Sequence, residues 1–186
     1  PEMPKEYHPA NKWLCRAVVA WDDDQAPVDA PCKTRIFMGT NDVRLIALDA
    51  KTGKLCDGFA DGGIRKIDIG MAQLWPGEVQ ITSAPAIVDD VVIVGSAISD
   101  NARMKAPFGT VRAYDARTGA LRWTFDPIAK VREGLLANGM DPAFEPGHAN
   151  VWSSISVDSK RGLVYLPTTS PSPDFWGGMR PGDNRY

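Results

Sequence analysis

The sequence predicts an all-β chain, a segment of a β-propeller with about two and a half four-stranded antiparallel blades, and three observations carry that prediction. One phrase is written twice, with starts sixty-six residues apart: "ALDAKTGKLCD" from Ala47 and "AYDARTGALRW" from Ala113 share Ala-x-Asp-x-x-Thr-Gly. Apolar residues alternate with period two in the runs that lead into both copies, as in half-buried strands. Fifteen Pro and seventeen Gly punctuate the chain, which favours short strands and turns over long helices.

The first unit reads, in order, "CRAVVAWDDD" from Cys15, "TRIFMGTND" from Thr34 after a longer connection, and "VRLIALDA" from Val43. Asp49 is placed to accept hydrogen bonds from backbone amides two residues on, and Gly53 to supply the positive φ of a tight hairpin. "KLCDGF", Lys54 to Phe59, is then the fourth strand. In the second unit "TSAPAIVDDVVIVGSA" (Thr82–Ala97) gives strand, Asp turn and strand, "TVRAYDA" the third, Asp115 and Gly119 the turn, and "ALRWTFD" the fourth. "SSISVDSKRGLVYLPTT" (Ser153–Thr169) opens a third unit. Blades are therefore expected at about 15–59 and 82–125, with a partial blade from 152, all within one partial domain over 1–186. Four-stranded units at this spacing signify propeller blades, and propellers typically close with about 4–8 of them. Two and a half cannot close a ring, so the chain is expected to be a segment of a longer protein; an independent small β-domain is the competing reading. Three links, Ala60–Ile81, Ile98–Phe108 and Pro127–Asn150, are longer than turns, as functional loops often are.

Composition narrows the partners. A formal net charge of -2 leaves no basic footprint for nucleic acid. No apolar run approaches the ~20 residues of a membrane span, and the start shows no secretion signal, which does not exclude export. Cys15, Cys32 and Cys56 fit neither a zinc site nor a dense disulfide framework. They are either buried thiols or a Cys32–Cys56 bridge with Cys15 left over, as an oxidising compartment permits.

The repeated turn resembles the tryptophan-docking motif of the pyrroloquinoline-quinone (PQQ) dehydrogenases, Ala-x-Asp-x-x-Thr-Gly-Lys-x-x-Trp, whose Trp packs between blades. The second copy keeps Trp123 with Ala120 in the Lys position; the first keeps Lys54 but has Asp57 where Trp belongs. A buried large side chain is worth roughly 1.5–3 kcal/mol, so the first junction is expected to be the weaker. "CRAVVAW", "ITSAPAIV", "VIVGSAISDN", "GTVRAYDARTG", "NVW", "LVYLP" and "SPDFWGG" follow the order of the membrane-bound glucose and quinate dehydrogenase branch over nearly the whole chain. The resemblance implies an eight-bladed ring. It also implies roles: Trp152 in "NVW" flat against the quinone, Thr82 hydrogen-bonded to it, and Arg16 on its carboxylate or ortho-quinone oxygens. Arg16 stands in "CRA", where the family has Cys-Arg-Gly. Asp100 and Asn101 match the pair associated with the divalent metal, calcium or magnesium. Lys12 departs from the pattern, occupying the position of a His that lies over the other quinone face. "TTSPSPDFWGG" (Thr168–Gly178) resembles a segment that supplies another oxygen ligand, at Ser170 or Ser172.

The implied function is oxidation of a sugar, polyol or other alcohol by PQQ, with electrons passed to ubiquinone at the periplasmic face of the bacterial inner membrane. Any membrane contact would be made through segments outside this chain. The family's base is an Asp in "HHD-x-W-D" surroundings, which nothing here matches, since His8 and His148 are the only histidines. No catalytic residue is therefore assigned, and the chain alone is expected to be inactive. The alternative is a non-enzymatic scaffold or sensor propeller of the cell envelope, which has no reason to hold Asp100–Asn101, "NVW" and "SPDFWGG" together. Arg16 and Thr82 fall at strand starts, Trp152 precedes another, and Asp100 leaves a returning strand, so antiparallel topology should bring all four to one rim.

Overall fold

The two copies of the turn close with the same bonds. In the computed structural model, which describes residues 6–99, 102–103, 106–128 and 148–172, Asp49 Oδ1 accepts from the backbone N–H groups of Lys51 (2.9 Å) and Thr52 (2.8 Å) and from the Thr52 hydroxyl (3.0 Å). Asp115 Oδ1 accepts from Arg117 N–H, Thr118 N–H and the Thr118 hydroxyl at 3.0, 2.8 and 3.0 Å. Gly53 and Gly119 both take φ 70°, and each donates its N–H back to the carbonyl of its Asp at 2.8 Å. Only a residue without a Cβ sits there at no steric cost.

These turns cap the third strands of two sheets. The first sheet has the order β1 (Val19–Asp22), β2 (Thr34–Gly39), β3 (Arg44–Asp49) and β4 (Ile64–Lys66), all antiparallel. The second comprises β6 (Ala86–Val88), β7 (Val91–Val94), β9 (Val111–Asp115) and β10 (Leu121–Phe125) in that order, also antiparallel. A hairpin of β11 (Ser156–Asp158) and β12 (Leu163–Tyr165) begins a third blade. The first strand of the second sheet, β6, touches both β1 and β11, so the blades stand side by side through their first strands. The chain is thus all-β, a β-propeller segment whose described sheets do not close a ring and whose described residues include no helix.

Core residues come from the strand faces that period-two alternation selects. Phe37, Leu45 and Phe59 of the first unit meet Val92, Val94 and Tyr114 of the second, with the Phe37 and Phe59 rings 5.3 Å apart at 60°. Ile93 and Val111 meet Val151, Val164 and Leu166 on the other side. Trp123 lies on the outermost strand of the second sheet and is 38% exposed. With Phe125 it walls an open apolar cleft whose other side is Val164 and Leu166.

Three features differ from the sequence reading. The fourth strand of the first sheet is Ile64–Lys66 and not Lys54–Phe59; only Leu55 makes an isolated bridge, to Leu48. Cys32 and Cys56 are disulfide-bonded with Cα atoms 5.8 Å apart, which decides between the two cysteine readings, while Cys15 is free and exposed. Cys56 still donates its N–H to the Ala47 carbonyl of β3 at 3.0 Å; beyond it the chain turns away to bury Phe59, and Gly62 and Gly63, both at positive φ, turn it into β4. Second, a further two-stranded sheet pairs β5 (Val79–Gln80), inside the first link, with β8 (Ala97–Ile98), where the second unit's strand segment passes into the second link. Third, Arg16 and Thr82 stand three and four residues ahead of β1 and β6, on the segments that enter the blades rather than at the starts of their first strands, while Trp152 precedes β11 as expected.

Candidate functional site

Trp152 is delivered by a fully buried segment. His148, Ala149, Asn150 and Val151 are all buried, and they run against two glycines of the second blade. A Cβ at Gly95 would stand 2.1 Å from the Val151 carbonyl oxygen, and one at Gly109 1.8 Å from that of Ala149. Any side chain at either position would push this segment away. Asn150 and Thr169 lock it from the far side, by Asn150 N–H to Thr169 Oγ1 (3.0 Å) and Thr169 N–H to the Asn150 carbonyl (2.9 Å). At the end of this buried run Trp152 emerges 42% exposed.

Thr82 and Arg16 converge on the same residue from two other blade starts. Thr82 is buried, and its hydroxyl donates to the Trp152 carbonyl at 3.3 Å. Arg16 donates its backbone N–H to the Thr82 carbonyl at 3.3 Å and its Nη1 to the Trp152 carbonyl at 3.5 Å. Its guanidinium carbon lies 5.2 Å from the centroid of the Trp152 ring, a cation–π distance. Three residues separated by up to 136 positions therefore form one contact group.

They line a cavity of about 500 Å³ together with Lys12, Leu14 and Ile98, within the ~300–1,000 Å³ of small-ligand sites. Among the described residues its lining carries two cations, Lys12 and Arg16, and no carboxylate. An exposed indole face beside two cations suits a planar, anionic, aromatic ligand. A tricyclic quinone bearing carboxylates fits that description. Among the described residues the lining holds no carboxylate or imidazole suited to abstract a proton, and neither His8 nor His148 belongs to it.

Asp100 and Asn101 lie outside the described residues, and so does the part of the "SPDFWGG" segment beyond Ser172. Among the described residues no three His, Cys, Asp or Glu side chains are grouped to hold a metal ion. The flanks of the Asp100–Asn101 pair are anchored on one residue. The Ser99 N–H donates to the Glu78 carbonyl at 3.0 Å, and Arg103 pairs with both Glu78 carboxylate oxygens at 2.7 and 2.8 Å. Ile98, two residues before Asp100, already lines the cavity. Of the two serines that fit the oxygen-ligand segment, Ser170 is exposed, whereas Ser172 is 1% exposed with a hydroxyl that finds no partner among the described residues.

Sequence reasoning missed Gln80 and Thr169. Thr169 lines the cavity, and Gln80 holds its Lys12 wall by bonds described below. A signal for Gln80 was present, since it lies two residues before Thr82 in "VQITS" and so shares its side of an extended segment. No comparable pattern marks Thr169.

The whole chain, residues 1–186, matches the family model described as glucose/ethanol/alcohol dehydrogenase, beta-propeller domain. It is 36% identical over 172 residues to the glycerol dehydrogenase large subunit of Gluconobacter oxydans, covering 92% of this chain and 23% of that protein. It is 38% identical over 160 residues to the quinoprotein glucose dehydrogenase of Escherichia coli, covering 86% and 20%. Among solved structures, the quinohemoprotein alcohol dehydrogenase of Comamonas testosteroni superposes with a TM-score of 0.59 at 26% identity, over 86% of this chain and 22% of that one. The chain thus spans between a fifth and a quarter of the length of these relatives.

Proposed function

Because the chain belongs to the β-propeller domain family of the PQQ-dependent glucose, ethanol and alcohol dehydrogenases, we propose that it forms the part of a quinoprotein oxidoreductase that holds pyrroloquinoline quinone against Trp152. The observation that carries this reading is the meeting of Arg16, Thr82 and Trp152 on one cavity from three separate blades.

Each side chain has a definable task. Trp152 offers a flat apolar face to a fused ring. Arg16 presents a planar fork of donors to a carboxylate or to adjacent quinone oxygens. Thr82, buried and bonded to the Trp152 carbonyl, fixes the backbone from which the indole projects and keeps acceptor capacity on its oxygen. When bound, the quinone supplies a two-electron acceptor, chemistry that no side chain here possesses. A calcium or magnesium ion at Asp100 and Asn101 belongs to the same proposal, because a carboxylate and an amide are oxygen donors suited to a hard cation. The base that takes the alcohol proton is assigned to a part of the protein beyond this chain. Tryptophan docking by Trp123, which faces the start of the third blade across an apolar cleft, is part of this reading too.

The whole protein is proposed to oxidise a sugar, polyol or other alcohol and to pass electrons to ubiquinone at the periplasmic face of the bacterial inner membrane. The Cys32–Cys56 disulfide supports an oxidising compartment. No helix among the described residues is long and apolar enough to cross a membrane.

The test is calorimetric titration of PQQ into the full-length apoprotein and its Trp152→Ala variant. Loss of the indole is expected to weaken binding about tenfold, from an aromatic contact of roughly 1.5 kcal/mol. Unchanged affinity would remove Trp152 from the site, and no binding by the parent protein would favour the scaffold alternative. The 186-residue chain alone, given PQQ, a divalent ion and a dye acceptor, should show no turnover above free cofactor. Clear turnover would overturn the placement of the base outside it.

A further inference from the structure

Lys12 is not explained by the contacts that organise the rest of the site. Its φ is 62°, a left-handed conformation that a side-chain-bearing residue adopts only when its surroundings impose it and that glycine or asparagine would adopt more readily. The imposing group is Gln80, a fully buried amide. Gln80 Nε2 donates to the Lys12 carbonyl at 2.9 Å and to Asn41 Oδ1 at 2.7 Å, while its Oε1 accepts from the Asn11 N–H at 2.7 Å. The Lys12 N–H is also engaged, by the Pro9 carbonyl at 3.2 Å. The backbone is thus fixed on both sides of a residue whose side chain stays exposed at the cavity. Five non-glycine residues among those described take positive φ; of these, Lys12 alone lines this cavity.

Charge supplies the second observation. Arg44, Arg103, Arg117, Arg122 and Arg161 are each paired with a carboxylate. Lys12 and Arg16 have no such pair among the described residues, and no described acidic residue lines their cavity. Both side chains are exposed, so water screens them while the cavity is open, and an anionic ligand that covers them and displaces that water gains an attraction they do not share with a carboxylate of the described residues.

We propose that Lys12 is a second cation of the site, which with Arg16 pairs with separate carboxylates of the bound planar ring, so that the cavity selects the fully carboxylated cofactor over uncharged analogues. The proposal rests on the reading that this cavity holds the quinone. At a position where the resemblance expects an imidazole lying over the ring, an ammonium on a flexible stem contributes charge recognition in place of stacking.

The experiment titrates PQQ and its trimethyl ester, at two ionic strengths, into the full-length apoprotein and its Lys12→Gln and Lys12→Arg variants. The parent protein is expected to bind PQQ at least about tenfold tighter than the ester. Lys12→Gln should lose roughly five- to tenfold for PQQ and nothing for the ester, with a flatter salt dependence. Lys12→Arg should retain most of the affinity. Lys12→Gln binding PQQ like the parent protein, or losing equally for both ligands, overturns the clamp while leaving the site reading intact. A parent protein that binds neither ligand overturns the site reading and the clamp with it.

Discussion

Arg65, on the last strand of the first sheet, donates two hydrogen bonds to the Gly119 carbonyl in the turn of the second, at 2.9 and 2.7 Å. Arg35 does the same to the neighbouring carbonyls of Ala116 and Arg117, at 2.8 and 2.6 Å. Arg117 reaches back, pairing with Asp23 at 2.7 Å and lying 5.1 Å from the Trp21 ring centroid. Trp21 itself bonds across the junction to the Asp89 carbonyl at 3.0 Å. The sequence reading expected this junction to be weak, because Asp57 replaces an aromatic there. Hydrogen bonds to charged groups are worth about 1.5–3 kcal/mol each, so these contacts offset the burial that a tryptophan would have given. The turn of one blade is read by guanidinium groups of its neighbour, and Trp21, buried at this junction, comes from β1.

The repeat provides a controlled comparison. Gly53 and Gly119 share φ 70°, but a Cβ at Gly53 meets nothing within 4 Å, whereas one at Gly119 stands 2.8 Å from Ala60 Cβ and 2.9 Å from its nitrogen. Gly53→Ala should cost only the left-handed strain, ~1–2 kcal/mol. Gly119→Ala should cost that plus about 1–3 kcal/mol of overpacking, because Ala60 donates its N–H to the Thr118 carbonyl at 2.8 Å and cannot withdraw freely. Urea unfolding of the two variants measures the difference. Equal midpoints would mean that the Ala60 loop is not seated on the second turn.

The strands were legible wherever period two and a turn signal coincided. Thr34–Gly39 buries alternate residues, and the Asp-x-x-Thr-Gly turns were readable to the hydrogen bond, because their chemistry is local. The fourth strand of the first blade was not legible, because the Cys32–Cys56 disulfide and the burial of Phe59, both long-range effects, take the chain off the sheet after Cys56. The meeting of Arg16, Thr82 and Trp152 followed from topology, since blade starts share a rim. Gln80 was marked only by its place two residues before Thr82; its bond to Lys12, and that of Thr169 to Asn150, have no local pattern.

Acid should loosen the turns. The backbone N–H of Cys32 on its second oxygen, joined by that of Thr52, holds the Asp49 carboxyl below the usual carboxylate range. At Asp115 burial pushes upward, but bonds from Thr118, Arg122 and Arg117 outweigh it, and the carboxyl again lies below its ordinary value. The folded state therefore prefers the ionised forms, while the unfolded chain takes up protons near ~3.9. This stabilisation is fully present above the unfolded value and is lost as pH falls through the lower folded ones. Unfolding midpoints measured from about pH 6 to about pH 2.5 should drop below roughly pH 4, and Asp49→Asn or Asp115→Asn should flatten that drop. A parent profile that is level across this range would show that neither turn is held by its ionised carboxylate.

Two ion pairs of similar length should differ severalfold in what they contribute. Arg103 meets Glu78 at 2.7 Å where the glutamate side chain is 0% exposed, and Arg161 meets Asp158 at 2.6 Å where the arginine is 74% exposed. Arg103→Met leaves a buried carboxylate without its guanidinium, which costs about 3–5 kcal/mol. Arg161→Met removes a solvent-screened pair worth at most ~1 kcal/mol. Denaturant midpoints separate the two cases directly. The difference extends to the proposed ion, because Glu78 holds Arg103 by its carboxylate and Ser99 by its carbonyl, the two flanks of Asp100 and Asn101. Calcium or magnesium added to the parent protein should raise its unfolding temperature, and that rise should shrink in Arg103→Met while persisting in Arg161→Met. An undiminished rise in Arg103→Met would mean that the ion is held by residues which the Glu78 anchor does not position.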